Sequence, residues 1–108
     1  MTYISSQHYL NPDIVDAKIA QLLEASSTEV VIPFLYAGEI NGVEYAVQSD
    51  GHHTLQAAKE LGIAIKYEVS DDPENLTGEA LLGARYLDGD YYLVDSSNPA
   101  DAEFDLVW

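Results

Sequence analysis

The chain has 108 residues, 47% of them hydrophobic, and no cysteine; this is the size and apolar content of one folded domain, without a disulfide framework, a thiolate metal site or a cysteine nucleophile. Its 19 acidic residues against 4 basic ones give a net charge of −15, and such a surface repels phosphate backbones, which excludes direct DNA or RNA binding through a basic face. With no apolar run near the length of a membrane span and no basic-then-apolar leader at the N-terminus, the expectation is a cytoplasmic protein that engages no membrane.

In chain order, Tyr3-Ile4 and a polar segment lead to Asn11-Pro12, a favoured N-cap followed by a favoured first helical residue. A helix is therefore predicted from there to about residue 25. Asp13 and Asp16 complement its dipole, and Val15, Ile19, Leu22 and Leu23 form its buried stripe. Residues 29–37 are rich in β-formers, and the consecutive Val30, Val31 and Ile32 fit a strand covered on both faces or one bulged by Pro33. Asn41-Gly42 is the preferred dipeptide of a type I′ turn, so a strand near 35–40 should pair antiparallel with 43–48.

The stretch 46–62, AVQSDGHHTLQAAKELG, is the centre of the chain. A strand runs into the polar turn 49–54, and a helix follows in which Leu55, Ala57, Ala58 and Leu61 share one side while Gln56, Lys59 and Glu60 take the other. Gly62 ends it as a residue able to take positive φ. Ile63, Ile65, Tyr67 and Val69 then alternate with Ala64, Lys66 and Glu68, the period of a half-buried strand.

Residues 70–75 form a polar loop, and 76–82 fit either a short helix or the entry to a strand. A second hairpin is predicted over 86–95 around Asp88-Gly89, and Phe104, Leu106 and Trp108 alternate as in a last edge strand. The expected fold class is α+β. One domain spans 1–108, with a core over about 1–69 and a C-terminal β-hairpin extension over about 76–108. Its mixed sheet should carry two main helices.

The turn 49–54 is where a strand end, a glycine and a helix N-terminus converge with titratable side chains. The first N–H groups of a helix lack intrahelical partners and lie at the positive end of its dipole, which suits a phosphate. Gly51 allows close backbone approach, the N–H groups from His52 onward would hold the anion, and Thr54 adds a hydroxyl donor. His52 and His53, being adjacent, point to different sides, so at most one faces the pocket squarely. A metal site built from Asp50, His52, His53 and His8 is disfavoured, because adjacent histidines lack the spacing that puts both on one helix face. Ser49, Ser96 and Ser97 lack the glycine pattern of a nucleophile elbow.

Strand, D-G-H-H-T, L-x-A-A-K-E-L-G and a strand of the form I-x-I-x-Y-x-V resemble the nucleotide-binding core of the ParB/sulfiredoxin superfamily, whose members often carry D-G-x-x-R-L-x-A-A-x-x-x-G there. The resemblance covers the first two thirds of the chain. It implies a ParB/sulfiredoxin-like fold, a nucleotide or other small phosphate ligand, and Mg2+ accompanying the nucleotide. By the match to the motif His53 is the catalytic histidine, and Asp50 is the candidate base, as in a branch that phosphorylates free serine through a D-G-H-T-R type loop.

Three departures narrow what is implied. The chain after Val69 is spent on a loop and a hairpin rather than on a helix-turn-helix, so DNA partition is not expected. His52 stands where sulfiredoxins need cysteine, which excludes sulfinic acid reduction. Thr54 stands where the motif has Arg, a bidentate phosphate ligand. Two functions stay open. One is a stand-alone ParB-like nucleotide- or phosphate-binding domain, acting as a small Mg-dependent phosphotransferase or nucleotide hydrolase. The other is a catalytically degenerate acidic module, Asp71-Asp72 being its longest acidic run, that binds a basic protein partner as immunity, inhibitor or DNA-mimic proteins do.

Overall fold

The computed structural model of the chain describes residues 1–7, 9–87 and 89–94. Its elements are β1 (Thr2–Ser5), α1 (Pro12–Glu24), β2 (Glu29–Ile40), β3 (Val43–Gln48), α2 (His52–Leu61), β4 (Ala64–Ser70), α3 (Gly78–Ala84) and β5 (Tyr92–Leu93). They make an α+β domain around one mixed five-stranded sheet of order β4-β2-β3-β1-β5. The pairs β2–β3 and β1–β5 are antiparallel, while β1–β3 and β2–β4 are parallel.

The β2–β3 hairpin forms where the turn chemistry requires it. Asn41 and Gly42 take φ of 51° and 83°, the double positive φ of a type I′ turn, which matches the twist of the flanking strands. The segment 29–40 is one continuous strand, and it is not bulged at Pro33. Pro33 accepts the Ser49 N–H at its carbonyl, so its missing donor also faces that side, just past the last β2–β3 pair at Phe34↔Gln48. No rung of that ladder is lost there. The irregularity lies instead between Tyr36 and Gly38, where β2 carries one extra residue. That bulge changes which residues share a face. Ile32 and Phe34 point to one face, Leu35 and Ala37 to the other, and after the bulge Ile40 joins Ala37. Val31 is 50% exposed, so the expectation of a strand covered on both faces is corrected at this end of β2.

Two cores flank the sheet. On one face Val30, Ile32, Phe34 and Ala46 meet Leu55 and Ala58 of α2, with Leu22 of α1 packed against them. Tyr3, Phe34 and Tyr67 pack there ring against ring at 4.5–5.0 Å, separations at which tilted and edge-on pairs attract. Leu23 is 62% exposed, contrary to the predicted stripe: consecutive helical residues diverge by about 100°, so Leu22 and Leu23 cannot both face the sheet. On the second face Ile4, Leu35, Ala37, Ile40 and Val47 enclose Leu81 and Leu82 of α3. The ambiguous stretch 76–82 is thus resolved as a short helix, α3, which begins at Gly78.

The C-terminal part departs most from expectation. Tyr86 and Leu87 are not in a strand, and Tyr92–Leu93 pairs with β1 rather than with a hairpin partner of its own. The segment leans on β1 and on Ser6 just after it: Leu87 N–H donates to Ser6 Oγ, Gly89 N–H to the Ser6 carbonyl and Val94 N–H to the Tyr3 carbonyl. An isolated two-stranded ribbon is marginal in water, whereas the open side of β1 offers a sheet to extend. Asp88 of the predicted turn, His8, and the predicted edge strand over 103–108 lie outside the described residues.

Candidate functional site

The site is built at the carboxyl ends of the parallel neighbours β1 and β3, where β2 runs on beyond its last pair with β3. Open sheets commonly place ligands at such strand ends. The turn leaving β3 is pinned to β2, because both the Ser49 N–H and the Ser49 hydroxyl donate to the Pro33 carbonyl, at 3.2 and 3.3 Å. Gln48, 2% exposed, donates its side-chain Nε2–H to the Asp50 carbonyl at 3.0 Å. Asp50 Oδ1 accepts the Gly51 N–H at 2.7 Å.

Gly51 is the residue on which the chain changes direction. It stands at the N-cap of α2 with φ 76° and ψ 20°, a left-handed conformation that an L side chain adopts only with strain. A Cβ there would lie 3.4 Å from Ile32 Cδ1 and 3.6 Å from Pro33 Cδ. Those are ordinary contacts, so φ rather than space demands glycine. Its carbonyl accepts the Leu55 N–H at 2.8 Å, and α2 begins.

The two helices on this face start differently. The N-terminus of α1 is capped, Asn11 Oδ1 accepting the Asp13 N–H at 2.9 Å. No side chain caps α2. By helix geometry the N–H groups at 52–54 have no intrahelical acceptor and point out of the helix end.

The histidines diverge as adjacent residues must. His52 Nε2 is 2.9 Å from Ser5 Oγ at the end of β1. His53 Nε2 accepts the Asn11 N–H at 3.2 Å, which calls for the tautomer protonated at Nδ1. Thus His53 ties the start of α2 to the start of α1, and any proton transfer by its ring has to use Nδ1.

Asp50, Gly51, His52, His53 and Thr54 all line one open cleft of about 470 Å³. The structure therefore brings every predicted site residue together. It also adds Lys18 of α1 and Gln7, which sequence reasoning missed. Of the 4 basic residues in the chain, Arg85 pairs with Asp72 and Lys59 donates to the Val94 carbonyl. Lys18 makes no ion pair with a described residue and is turned to the cleft. One signal could have found it: Lys18 lies three positions after Val15, the buried residue of α1, so it sits above the inward stripe rather than on the outer face. Among the described residues no cluster of three or more His, Asp or Glu could hold a metal ion by itself.

The acidic run 71–72 is not uniformly surface. Asp72 is buried: Oδ2 accepts the N–H groups of Glu74 and Leu76, and Oδ1 takes the Arg85 guanidinium at 3.1 Å. Burial pushes its carboxyl up, but the Arg85 guanidinium and the two backbone donors outweigh that and hold it below its ordinary value. It is a structural clasp between the 71–77 loop and the end of α3, and only Asp71 of the pair is exposed.

Compared with known protein families, with curated proteins and with solved structures, the chain has no significant match. No helix among the described residues is long and apolar enough to cross a membrane.

Proposed function

We propose that the cleft at 50–54 binds a phosphate group, that of a nucleotide or another small phosphate compound, and that the domain acts as a small phosphotransferase or nucleotide hydrolase. The observation that carries this reading is the convergence on one cleft of an uncapped helix N-terminus, a left-handed glycine and the lysine of α1. Lys18 supplies the positive charge that the motif's missing Arg would have brought, though as a single point charge without the bidentate fork. The resemblance of D-G-H-H-T and the following helix to the ParB/sulfiredoxin core supports the same reading.

Asp50 is exposed, lines the cleft and keeps one oxygen off the Gly51 N–H. That suits the usual holding of Mg2+ by one carboxylate together with substrate phosphates, in place of an all-protein cage. With Asp50 and Lys18 of opposite sign in the cleft, a phosphate is held chiefly by backbone donors, and Mg2+ would offset its remaining charge. Bound in this way, the phosphate lies beside Asp50, which would take the proton of the attacking water or hydroxyl as its oxygen bonds to phosphorus and the bond to the leaving oxygen breaks, and beside the Nδ1–H of His53, which would donate to a phosphate oxygen.

The test is a thermal-shift series with ATP, ADP, CTP and inorganic phosphate, each with and without Mg2+, since a ligand of the folded state alone must raise its stability. A rise in Tm that Lys18→Ala reduces is the expected result. No shift with any of them would discard this reading in favour of an acidic module that binds a basic protein, which the −15 charge favours.

A further inference from the structure

One buried side chain at the turn breaks the pattern of its surroundings. Gln48 ends β3 two residues after Ala46, which belongs to the core on the α2 face, so by strand alternation it lies on the same apolar side. It is 2% exposed and lines a small pocket of about 90 Å³ together with Leu10, His52, Leu55, Tyr92 and Val94. Its Nε2–H donates to the Asp50 carbonyl, whereas its Oε1 is buried and meets no donor among the described residues. Turning the amide over gives no relief, because two carbonyl oxygens would then face each other. A buried acceptor without a donor costs more than an ordinary hydrogen bond contributes, and the one bond that Gln48 does make reaches an exposed residue, Asp50. By stability alone, an apolar side chain of similar length is the better choice at position 48.

We infer that Gln48 is a positioning residue for Asp50, holding it through its backbone so that one carboxylate oxygen is kept in place for Mg2+; this rests on the phosphate and Mg2+ reading of the cleft. In a turn that is otherwise exposed, Asp50 is fixed at two points, its carbonyl by Gln48 and its Oδ1 by the Gly51 N–H. Oδ2 is then the oxygen left for the metal or for the proton of the attacking group. A group fixed in advance loses less freedom when it acts, and small misplacements at the reacting atoms are costly. The rest of the turn does not depend on Gln48. Ser49 is pinned to the Pro33 carbonyl by two bonds of its own, and α2 starts from the Gly51 carbonyl. Removing the Gln48 amide therefore frees Asp50 and leaves the N–H groups at 52–54 where they are, which separates the metal half of the cleft from the anion half.

Gln48→Met and Gln48→Leu on the whole chain test this. The readings are the urea midpoint, calorimetric titration with inorganic phosphate without metal and with ATP with and without Mg2+, and phosphate release from ATP. Both variants should be as stable as the wild type or more so and should bind metal-free phosphate equally. The gain in ATP affinity that Mg2+ brings, and the rate of phosphate release, should each fall by about tenfold or more. In an Asp50→Asn background Gln48→Met should change neither further, because it acts through that carboxylate. Variants that are unfolded or less stable than the wild type would make Gln48 a structural residue and overturn the inference. An unchanged Mg2+ gain overturns it too, as does a loss that persists in the Asp50→Asn background. A wild type that binds none of these ligands discards the phosphate reading itself, whereas a wild type that binds them and variants that match it discard this inference alone.

Discussion

Gly51 shows how one backbone angle can decide a site. At φ 76°, Gly51→Ala should lower stability by about 1–2 kcal/mol from backbone strain alone, visible as a reduced urea midpoint. Gly51→Val, β-branched at positive φ, should cost more and abolish phosphate binding, because the turn that aims the N–H groups at 52–54 would have to rearrange. Equal phosphate affinity in a folded Gly51→Val variant would show that the helix N-terminus is not the anion site. Lys18 and Asp50 provide a test of sign. A charge near a bound anion is worth about 1 kcal/mol in bulk water and about 4 at an effective dielectric of about 20. In this open cleft the lower figure applies, so Lys18→Ala should weaken metal-free phosphate binding by a factor of about 5–10. Asp50→Asn should leave that binding equal or tighter while turnover collapses, measured as phosphate release from nucleotide with Mg2+. Turnover that survives Asp50→Asn would remove Asp50 as base and as Mg2+ ligand.

Among the elements, the 71–84 segment depends on one carboxylate. Asp72 joins the loop's backbone to Arg85 at the end of α3, and α3 in turn supplies Leu81 and Leu82, both buried, to the second core. With its pKa held below the ordinary value, Asp72 contributes stability that is complete above the unfolded value of about 3.9 and is lost as pH falls through the folded one. Asp72→Asn should therefore be less stable than wild type at pH 7, and the gap in urea midpoints should narrow as the pH drops below that range. A gap that stays constant down to strong acid would mean that the charge of Asp72 is not what holds the loop. His53 makes a comparable link between elements: by accepting the Asn11 N–H it joins the start of α2 to the start of α1, the helix that carries Lys18.

For the whole molecule, charge dominates long-range behaviour. Four basic residues are dispersed, one of them turned to the cleft and another paired with Asp72, so there is no basic stripe for a polyphosphate backbone. Duplex DNA should pass a column of the immobilised protein unretained at physiological salt; retention there would contradict the charge argument. The same −15 that repels a polyanion is compatible with the proposed site for one phosphate at one helix end. The donors at 52–54 and Lys18 act within a few ångström, whereas the distributed acids act at a distance that salt screens to about 8 Å.

Features written in consecutive residues were legible without the structure. The Asn-Gly hairpin, the Asn-Pro helix start, the helix closing on Gly62 and the alternation of β4 each depend on chemistry a few positions apart, and local propensity with periodicity is enough to specify them. The turn 49–54 could be singled out for the same reason. What the fold alone decided concerns residues far apart in the chain. Lys18 reached the cleft because α1 packs beside α2; Asp72 became a buried clasp because Arg85 comes back to it; and Tyr92–Leu93 joined β1 because an open sheet edge offers backbone partners that a lone hairpin lacks. For Asp72 and Tyr92–Leu93 the deciding term is the satisfaction of a buried polar group or a strand edge by a distant partner, and for Lys18 it is the packing of one helix beside another. No local pattern of residues encodes that pairing, because it exists only once the sheet has formed.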